Sequence, residues 1–274
     1  EQTSRTLEYA FDDFAVAQMA KLLADSLEYQ KNKGNLLSLD KKMLLADYEQ
    51  LMRRSENWRY VINPKTGWAD GRHQNRKWEN NLDLVHRKSY ITEGATCHYT
   101  WYVPQNVEGL FQVINNSGQN VITRLDRMFD EGLYWHGNEP CHQIAYLYNK
   151  AGASWKTQQR IHHILNTEYN DTPGGLSGND DAGQMSAWYM FSAIGFYPVC
   201  PATPYYYIGT PSFDKVTFNL ENGRKFEIVA EGVDDENFYI QQVDLNGKSG
   251  YYLSHDDLLK GGKLSFRMGN TPKY

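Results

Sequence analysis

The chain lacks the features of a membrane-spanning or nucleic-acid-binding protein. No apolar run approaches the roughly 20 residues that a membrane-spanning helix needs, and the first residues lack the basic-then-apolar order of a signal peptide. The formal net charge is only −5, from 28 basic and 33 acidic residues spread along the sequence, so no basic surface is expected to follow a phosphate backbone. We therefore expect no membrane-spanning segment and no nucleic-acid partner.

Cysteine is also scarce. Cys97, Cys141 and Cys200 are odd in number and have neither CxxC nor metal-knuckle spacing. They define no disulfide framework and no zinc site. The cysteines therefore do not indicate whether the protein is located in an oxidising or a reducing compartment.

The first two-thirds of the sequence is predicted to be mainly helical. The opening segment has apolar residues at near-helical intervals, which predicts an amphipathic helix with a buried stripe. The members of this stripe are Leu7, Phe11, Phe14, Met19 and Leu22. Asp40 is a candidate N-cap of a second helix, which ends before Asn63-Pro64, and Ser154 is a candidate cap of a third. The apolar segment Gly183–Ala193 predicts another helix that ends before Gly195.

Beyond Gly195 the pattern changes to that of strands. Prolines 198, 201 and 204 interrupt helices, and β-rich runs follow, with Asn222-Gly223 and Asn246-Gly247 as hairpin-turn signals. These runs are Tyr205–Ile208, Lys215–Leu220 and Lys225–Val229. We therefore predict an α+β chain with a helical domain over residues 1–198 and an antiparallel β subdomain over 199–274.

Three acidic clusters lie among Gly, Pro and aromatic residues, where loops are more common than solvated helix faces. They are Thr92–Gly94, His136–Pro140 and Gly178–Gln184. Glycosidic bond hydrolysis uses two carboxyl groups, and loops distant in sequence can bring them together. Acidic residues in such loops are also common turn formers and helix caps, and Asp180-Asp181 could simply cap the helix that follows.

Asn138 and Glu139 place two hard oxygen donors next to each other, with Gln143 nearby. Such donors suit calcium better than zinc or copper. His136 and His142 have a spacing that is weak support for a transition metal, so we interpret them as structural or substrate-binding residues.

Longer motifs carry a family resemblance. The segment His136–Pro140, followed by Tyr146–Asn149 and Trp155–Gln158, resembles the corresponding stretch of glycoside hydrolase family 92 α-mannosidases. The segment Gly178–Tyr189, running into Gly195–Pro201, is a still closer match. Shorter similarities at Ser4–Tyr9, Asn63–Gly67, Leu245–Gly247 and Ser254-His255 extend the resemblance over nearly the whole chain.

The resemblance implies that the helical part belongs to an (α/α)6 toroid, and that the family's N-terminal β-sandwich is absent from this chain. Twelve helices of about 11–12 residues with their loops need more sequence than residues 1–198 provide. We therefore expect the missing N-terminal part of the same enzyme to be a partner. By family analogy alone, the expected location is secreted, periplasmic or at the cell surface.

The resemblance also implies roles for individual residues. Glu93 corresponds to the general acid and Asp181 to the general base, with Asp180 beside it. Asn138 and Glu139 correspond to part of a Ca2+ site. Substrate-binding roles are implied for a further set, which is His136, His142, His98 and Trp101. In an inverting enzyme the acid and base carboxyl groups lie roughly 6.5–9.5 Å apart, which leaves room for the attacking water.

The activity implied is calcium-dependent, exo-acting hydrolysis of terminal α-mannosides on glycans, as in N-glycan degradation, with inversion. Many family members have Asn, Trp and Gln where this chain has Ala95, Cys97 and His98. Since these positions follow the proposed acid, the linkage stays open between α-1,2, α-1,3 and others. Two alternatives also stay open: a carbohydrate-binding or scaffolding fragment that retains the mannose pocket without turnover, and an (α/α)6 glycosidase that acts on glucans.

Overall fold

A computed structural model describes residues 2–32, 39–79, 81–247 and 252–274. The chain divides into two compact units, Glu1–Gln119 and Asn120–Tyr274, and each is described by itself. Among the described residues, no helix combines the length and apolar content that crossing a membrane requires.

The first unit contains helices and one short hairpin. Its helices are α1 (Gln2–Asn32), α2 (Lys41–Arg54), α3 (Thr96–Tyr99) and α4 (Val107–Asn116), and its strands are β1 (Ile62–Asn63) and β2 (Trp68–Ala69). The predicted N-cap of α2 is confirmed, because a carboxylate oxygen of Asp40 accepts a hydrogen bond from the backbone N–H of Lys42 at 2.8 Å.

The predicted opening helix is confirmed as α1, but the predicted stripe is wrong in its second half. Met19 is 57% exposed and Leu22 is 66% exposed. The buried face is formed by Leu7 with a series of alanines, at positions 10, 17, 20 and 24. Apolarity alone therefore misidentified the buried face, because it gave no weight to the small side chains that are buried there.

The second unit contains five helices and seven strands within its described residues. The helices are α5 (Val121–Asp130), α6 (Leu147–Lys150), α7 (Ser154–Thr167), α8 (Gln184–Ile194) and α9 (His255–Lys260). The strands are β3 (Phe196–Tyr197), β4 (Tyr205–Ile208), β5 (Lys215–Asn219), β6 (Lys225–Glu231), β7 (Tyr239–Leu245), β8 (Tyr252–Ser254) and β9 (Gly262–Gly269).

Two helix ends in this unit test the capping predictions. The end of α8 is confirmed, since Gly195 follows it with a φ of +111° and its N–H bonds the carbonyl oxygens of Phe191 and Ser192. Ser154 is the first residue of α7, while Ala153 holds the cap position without a side-chain hydrogen bond. The expectation that Ser154 caps α7 is therefore wrong by one residue.

The strands form two sheets, and the larger one corrects the antiparallel prediction. Its order is β5-β6-β9-β7, and β6 pairs with β9 in parallel. The hairpin at Asn222-Gly223 is confirmed, because it joins the antiparallel strands β5 and β6. After Asn246-Gly247, the next described strand is β8, which pairs with β4 in the smaller sheet. That second turn signal therefore does not join two neighbouring strands.

The sheets of the second unit are tied to its helices. A buried apolar cluster, which includes Phe226, Ile228 and Phe266, joins the strands to the end of α8 at Ile194. The side-chain oxygen of Gln158 on α7 accepts a hydrogen bond from the Ile240 N–H on β7 at 2.9 Å. This interface joins α7 and α8 to the strands.

We predict that Phe226→Ala lowers the free energy of unfolding by about 3–5 kcal/mol, because it leaves a cavity in this cluster. The measurement is urea denaturation followed by circular dichroism. Phe213→Ala is the matched control, since Phe213 is 45% exposed, and we expect it to change the free energy by about 0.5 kcal/mol or less. Equal losses in the two variants would contradict the assignment of the core.

Candidate active site

The structure divides the predicted site residues between the two units. The first unit contains Glu93, His98 and Trp101. The second contains the remaining six, which are His136, Asn138, Glu139, His142, Asp180 and Asp181.

Glu93 occupies a strained position in the loop before α3. Its side chain is exposed, and its φ of +52° places it in the left-handed region, which costs roughly 1–3 kcal/mol for a residue other than glycine. The loop is fixed on one side by a hydrogen bond from the Thr92 N–H to the Ser4 hydroxyl at 3.0 Å. The negative charge of Glu93 contributes to raising the pKa of Tyr99, after burial and the contact with Glu8.

His98 and Trp101 differ in their access to solvent. The backbone N–H of Ala95 donates to Nδ1 of His98 at 3.1 Å, so this nitrogen carries no proton. His98 is half-buried, whereas Trp101 is fully buried. His98 therefore has part of its ring at the surface, and Trp101 is a core residue of the first unit.

In the second unit, two glycine backbones bring two loops together. A methyl group on Gly178 would overlap the carbonyl oxygen of Gly137, and one on Gly137 would lie 2.7 Å from the carbonyl oxygen of Ser177. The segment that carries Asn138 and Glu139 therefore lies directly against the segment that precedes Asp180. We call these two segments, residues 136–142 and residues 177–183, the loop pair.

The turn at Asp180 and Asp181 has unusual backbone geometry. Asp181, Ala182 and Gly183 have φ values of +46°, +56° and +98°, and the first two are strained. Asp180 offsets part of this cost, because its Oδ1 accepts hydrogen bonds from the Ser186 N–H at 2.9 Å and the Ser186 hydroxyl at 2.8 Å. Asp180 thus satisfies an N–H of the first turn of α8. The side chain of Asp181 is exposed.

His136 is held between two tyrosines. Its Nδ1 lies 2.7 Å from the Tyr134 hydroxyl and its Nε2 lies 2.6 Å from the Tyr169 hydroxyl. Tyr169 in turn donates to the carbonyl oxygen of Met185 at 3.1 Å, so Nε2 of His136 carries the proton. Burial lowers the pKa of His136 to about 3, with a smaller effect from His142. The ring is therefore neutral near pH 7 and accepts at Nδ1.

His142 connects its own loop to α8. Its Nε2 lies 3.0 Å from the carbonyl oxygen of His136, and its own carbonyl oxygen accepts a hydrogen bond from the Trp188 indole at 2.9 Å. Burial lowers the pKa of His142 to about 4, against opposing effects of the His136 carbonyl and the Asp181 charge. Both rings are buried, and both nitrogens of His136 and Nε2 of His142 have partners, so the geometry favours supporting roles for the two histidines. Nδ1 of His142 is buried and has no hydrogen-bond partner among the described residues.

Glu139 and Asn138 lie half-buried at the start of a 3-10 helix. Burial raises the pKa of Tyr197, a hydrogen bond with Gln184 opposes this rise, and the charge of Glu139 adds to it. Glu139 therefore lies near Tyr197 and the first residue of α8.

The candidate Ca2+ site has suitable oxygen donors, but only a small number of them among the described side chains. Asn138 and Glu139 provide amide and carboxylate oxygens, which suit Ca2+. Within the part of the chain that the structure describes, no group of three or more His, Cys, Asp or Glu side chains is placed to hold a metal ion. Calcium takes about six to eight oxygen ligands, so other oxygens would have to complete the shell.

The cysteines take no part in this chemistry. All three are buried and form no disulfide. Burial raises the pKa of Cys97 and of Cys200 to about 11. Their thiols are therefore protonated near pH 7 and poor nucleophiles.

Sequence reasoning missed the residues that hold the loop pair together. They are Tyr134, Tyr169 and Trp188. The one available signal was the density of aromatic residues around the acidic clusters, which fitted core packing equally well.

The chain matches a known protein family over nearly its whole length. The family model "Glycosyl hydrolase family 92 catalytic domain" matches residues 1–270. This match defines the class as a glycosyl hydrolase catalytic domain, and the chain belongs to family 92. This confirms the resemblance inferred from the sequence.

Solved structures and a curated relative agree. A family GH92 alpha-mannosidase from Bacteroides thetaiotaomicron is 40% identical, with a TM-score of 0.86 over 99% of this chain and 35% of its own. The Family GH92 Inverting Mannosidase from Bacteroides thetaiotaomicron VPI-5482 is 32% identical, with a TM-score of 0.83 over 98% of this chain and 37% of its own. An uncharacterized secreted glycosidase of Arthroderma benhamiae is 26% identical over 97% of this chain and 35% of its own length. The chain thus spans about a third of the length of these relatives.

We predict that Gly178→Ala separates the loop pair, because the added methyl group has no space beside Gly137. The expected result is a lower melting temperature and faster amide hydrogen exchange in residues 136–142 and 178–186. Gly174→Ala is the matched control, since a methyl group there meets no atom within 4 Å. Unchanged exchange in Gly178→Ala would show that the two backbones are not in close contact.

Proposed function

We propose that this chain is the catalytic, sugar-facing part of an exo-acting α-mannosidase that hydrolyses terminal α-mannosides of glycans with inversion. The observation that carries the proposal is the 40% identity to an alpha-mannosidase over 99% of this chain. Inversion is supported by the similarity to an inverting mannosidase. The fold proposed for the full enzyme is the (α/α)6 toroid with an N-terminal β-sandwich, and the division of this chain at residue 199 remains a prediction.

The proposed reaction needs one acid and one base. Glu93 donates a proton to the glycosidic oxygen as the bond from that oxygen to C1 breaks. Asp181 accepts a proton from the water whose oxygen forms the new bond to C1, and mannose leaves as the β anomer. The left-handed backbone of both residues is consistent with functional positions, since strain of this kind concentrates at active sites. Asp180 orients the turn that carries Asp181.

Ca2+ is proposed as the cofactor on the chemistry of the donor set. Asn138 and Glu139 would hold it, with carbonyl oxygens, water or sugar hydroxyls completing the shell. When bound, a calcium ion supplies a positive charge that can grip vicinal hydroxyls and so orient a sugar ring. His98, with part of its ring at the surface, is proposed to contact the substrate.

The substrate context is a further part of the proposal. A mannose-terminated glycan is the substrate class, and the missing N-terminal part of the enzyme is the expected partner. A secreted, periplasmic or cell-surface location is supported by the similarity to a secreted glycosidase. Proton NMR of the products from linkage-defined mannobioses would report activity, linkage and anomeric configuration together. Release of α-mannose as the first product would overturn inversion.

A second candidate function is glycan binding without turnover. It is favoured by the small share of the relatives' length that this chain covers. The two functions are distinguished by calorimetry with mannobiose alongside the NMR assay, since a binding module retains affinity and releases no mannose.

We predict that Glu93→Gln and Asp181→Asn each lower kcat/KM for mannobiose by roughly 10²–10⁴-fold, because each removes a proton-transfer group. The measurement is the rate of mannose release by the full-length protein. The Glu93→Gln defect should shrink with 2,4-dinitrophenyl α-mannoside, whose leaving group needs no acid. Asp171→Asn and Glu131→Gln are controls, since both carboxylates are exposed. Wild-type rates in either test variant would remove that residue from the mechanism.

We also predict that EGTA abolishes mannose release and that added Ca2+ restores it. Asn138→Ala should raise the calcium concentration needed for half-maximal rate by about tenfold or more, because it removes a ligand. Asn166→Ala is the control, as its exposed side-chain amide nitrogen bonds His162 one turn earlier in α7. Activity that persists through chelation and dialysis would exclude a calcium requirement.

A further inference from the structure

One phenolic oxygen links the two halves of the loop pair. The Tyr169 hydroxyl lies 2.6 Å from Nε2 of His136 and 3.1 Å from the carbonyl oxygen of Met185. His136 precedes Gly137 at the start of one loop, and Met185 lies in the first turn of α8, directly after the other. Tyr169 itself lies beyond α7, where its backbone forms an isolated bridge with Leu176. A third segment of the unit therefore holds both loops.

The turn between these anchors needs support. Asp181 and Ala182 are both in the left-handed region, and each costs roughly 1–3 kcal/mol. On one side, Asp180 is fixed through Ser186. On the other side, the carbonyl oxygen of Met185 receives the Tyr169 hydroxyl. Without the second anchor, the first turn of α8 can shift relative to His136.

The tyrosine ring has a separate role from its hydroxyl. It stacks on Trp188, with ring centroids 6.0 Å apart and planes at 5°. A phenylalanine at position 169 would keep this packing and lose only the oxygen. The substitution Tyr169→Phe therefore tests the hydrogen bonds without leaving a cavity in the core.

We propose that Tyr169 is a positioning residue for the general-base turn: its hydroxyl sets Asp180 and Asp181 relative to the segment of Asn138 and Glu139. Tyr169 acts through Met185 and His136 and does not touch the substrate. Both ring nitrogens of His136 are committed to tyrosine hydroxyls, so His136 belongs to the same support. The inference rests on the proposed mannosidase function.

The test is Tyr169→Phe in the protein as its gene encodes it. We expect faster hydrogen exchange in residues 178–186, since the turn loses one anchor. We expect kcat to fall by about tenfold or more, with KM within about threefold, because the attacking water loses its aligned base. The fall should be equal for mannobiose and for 2,4-dinitrophenyl α-mannoside, since a better leaving group does not replace a base.

Tyr148→Phe is the matched control. Its hydroxyl donates to the Asp126 carboxylate of α5 at 3.0 Å, and this partner lies outside residues 136–142 and 178–186. We expect a comparable loss of melting temperature with normal kcat and normal exchange in residues 178–186. An equal fall in kcat for Tyr148→Phe would attribute the effect to general destabilisation and overturn the inference.

Two further outcomes separate this inference from the proposed function. Exchange in residues 178–186 that is unchanged by Tyr169→Phe overturns the positioning role, whatever the turnover. Wild-type protein that releases no mannose overturns the proposed function, and the exchange measurement then decides alone whether Tyr169 holds the turn. A kcat defect that disappears with the dinitrophenyl substrate would show that Tyr169 supports protonation of the leaving group and not the general base. That result would overturn the inference.

Discussion

The loop pair depends on the absence of two side chains. Gly137 and Gly178 let two backbones approach so closely that no Cβ fits between them. This contact fixes the distance between the segment of Asn138 and Glu139 and the turn of Asp181. A Cβ atom at either glycine would separate the backbones that the hydrogen bonds of Tyr169 connect. The steric fit and the polar contacts therefore depend on each other.

The layer beneath the loop pair is polar and buried. His136 and His142 are almost fully enclosed, and buried polar groups are costly unless they are paired. The His136 ring is paired with the hydroxyl of Tyr169, and the backbone carbonyl of His142 is paired with the indole of Trp188, both from distant segments. Each pairing is lost if either segment moves. The layer thus restricts the loops to one arrangement, which suits a site whose carboxylates must be placed accurately.

Local sequence signals predicted two of the three helix ends correctly, and the third, at Ser154, was wrong by one residue. Asp40 caps α2 and Gly195 ends α8 because both signals act within a few residues of the backbone they affect. Signals that depend on partners failed more often. The stripe of α1 was misplaced at Met19 and Leu22, and the parallel pairing of β6 with β9 had no counterpart in the turn signals. Strand pairing and helix packing are chosen by distant residues, which a local pattern does not contain.

The sequence by itself determined the family, the carboxylates and amides available for chemistry, and the turns that present them. Those properties reside in residue identity and in short-range backbone preference. Tertiary structure alone decided which loops meet and which aromatic groups support them. The contact between Trp188 and His142 joins residues 46 positions apart, and that between Tyr169 and His136 joins residues 33 apart. Such contacts leave no periodic trace in the sequence, because they follow from the path of the folded chain.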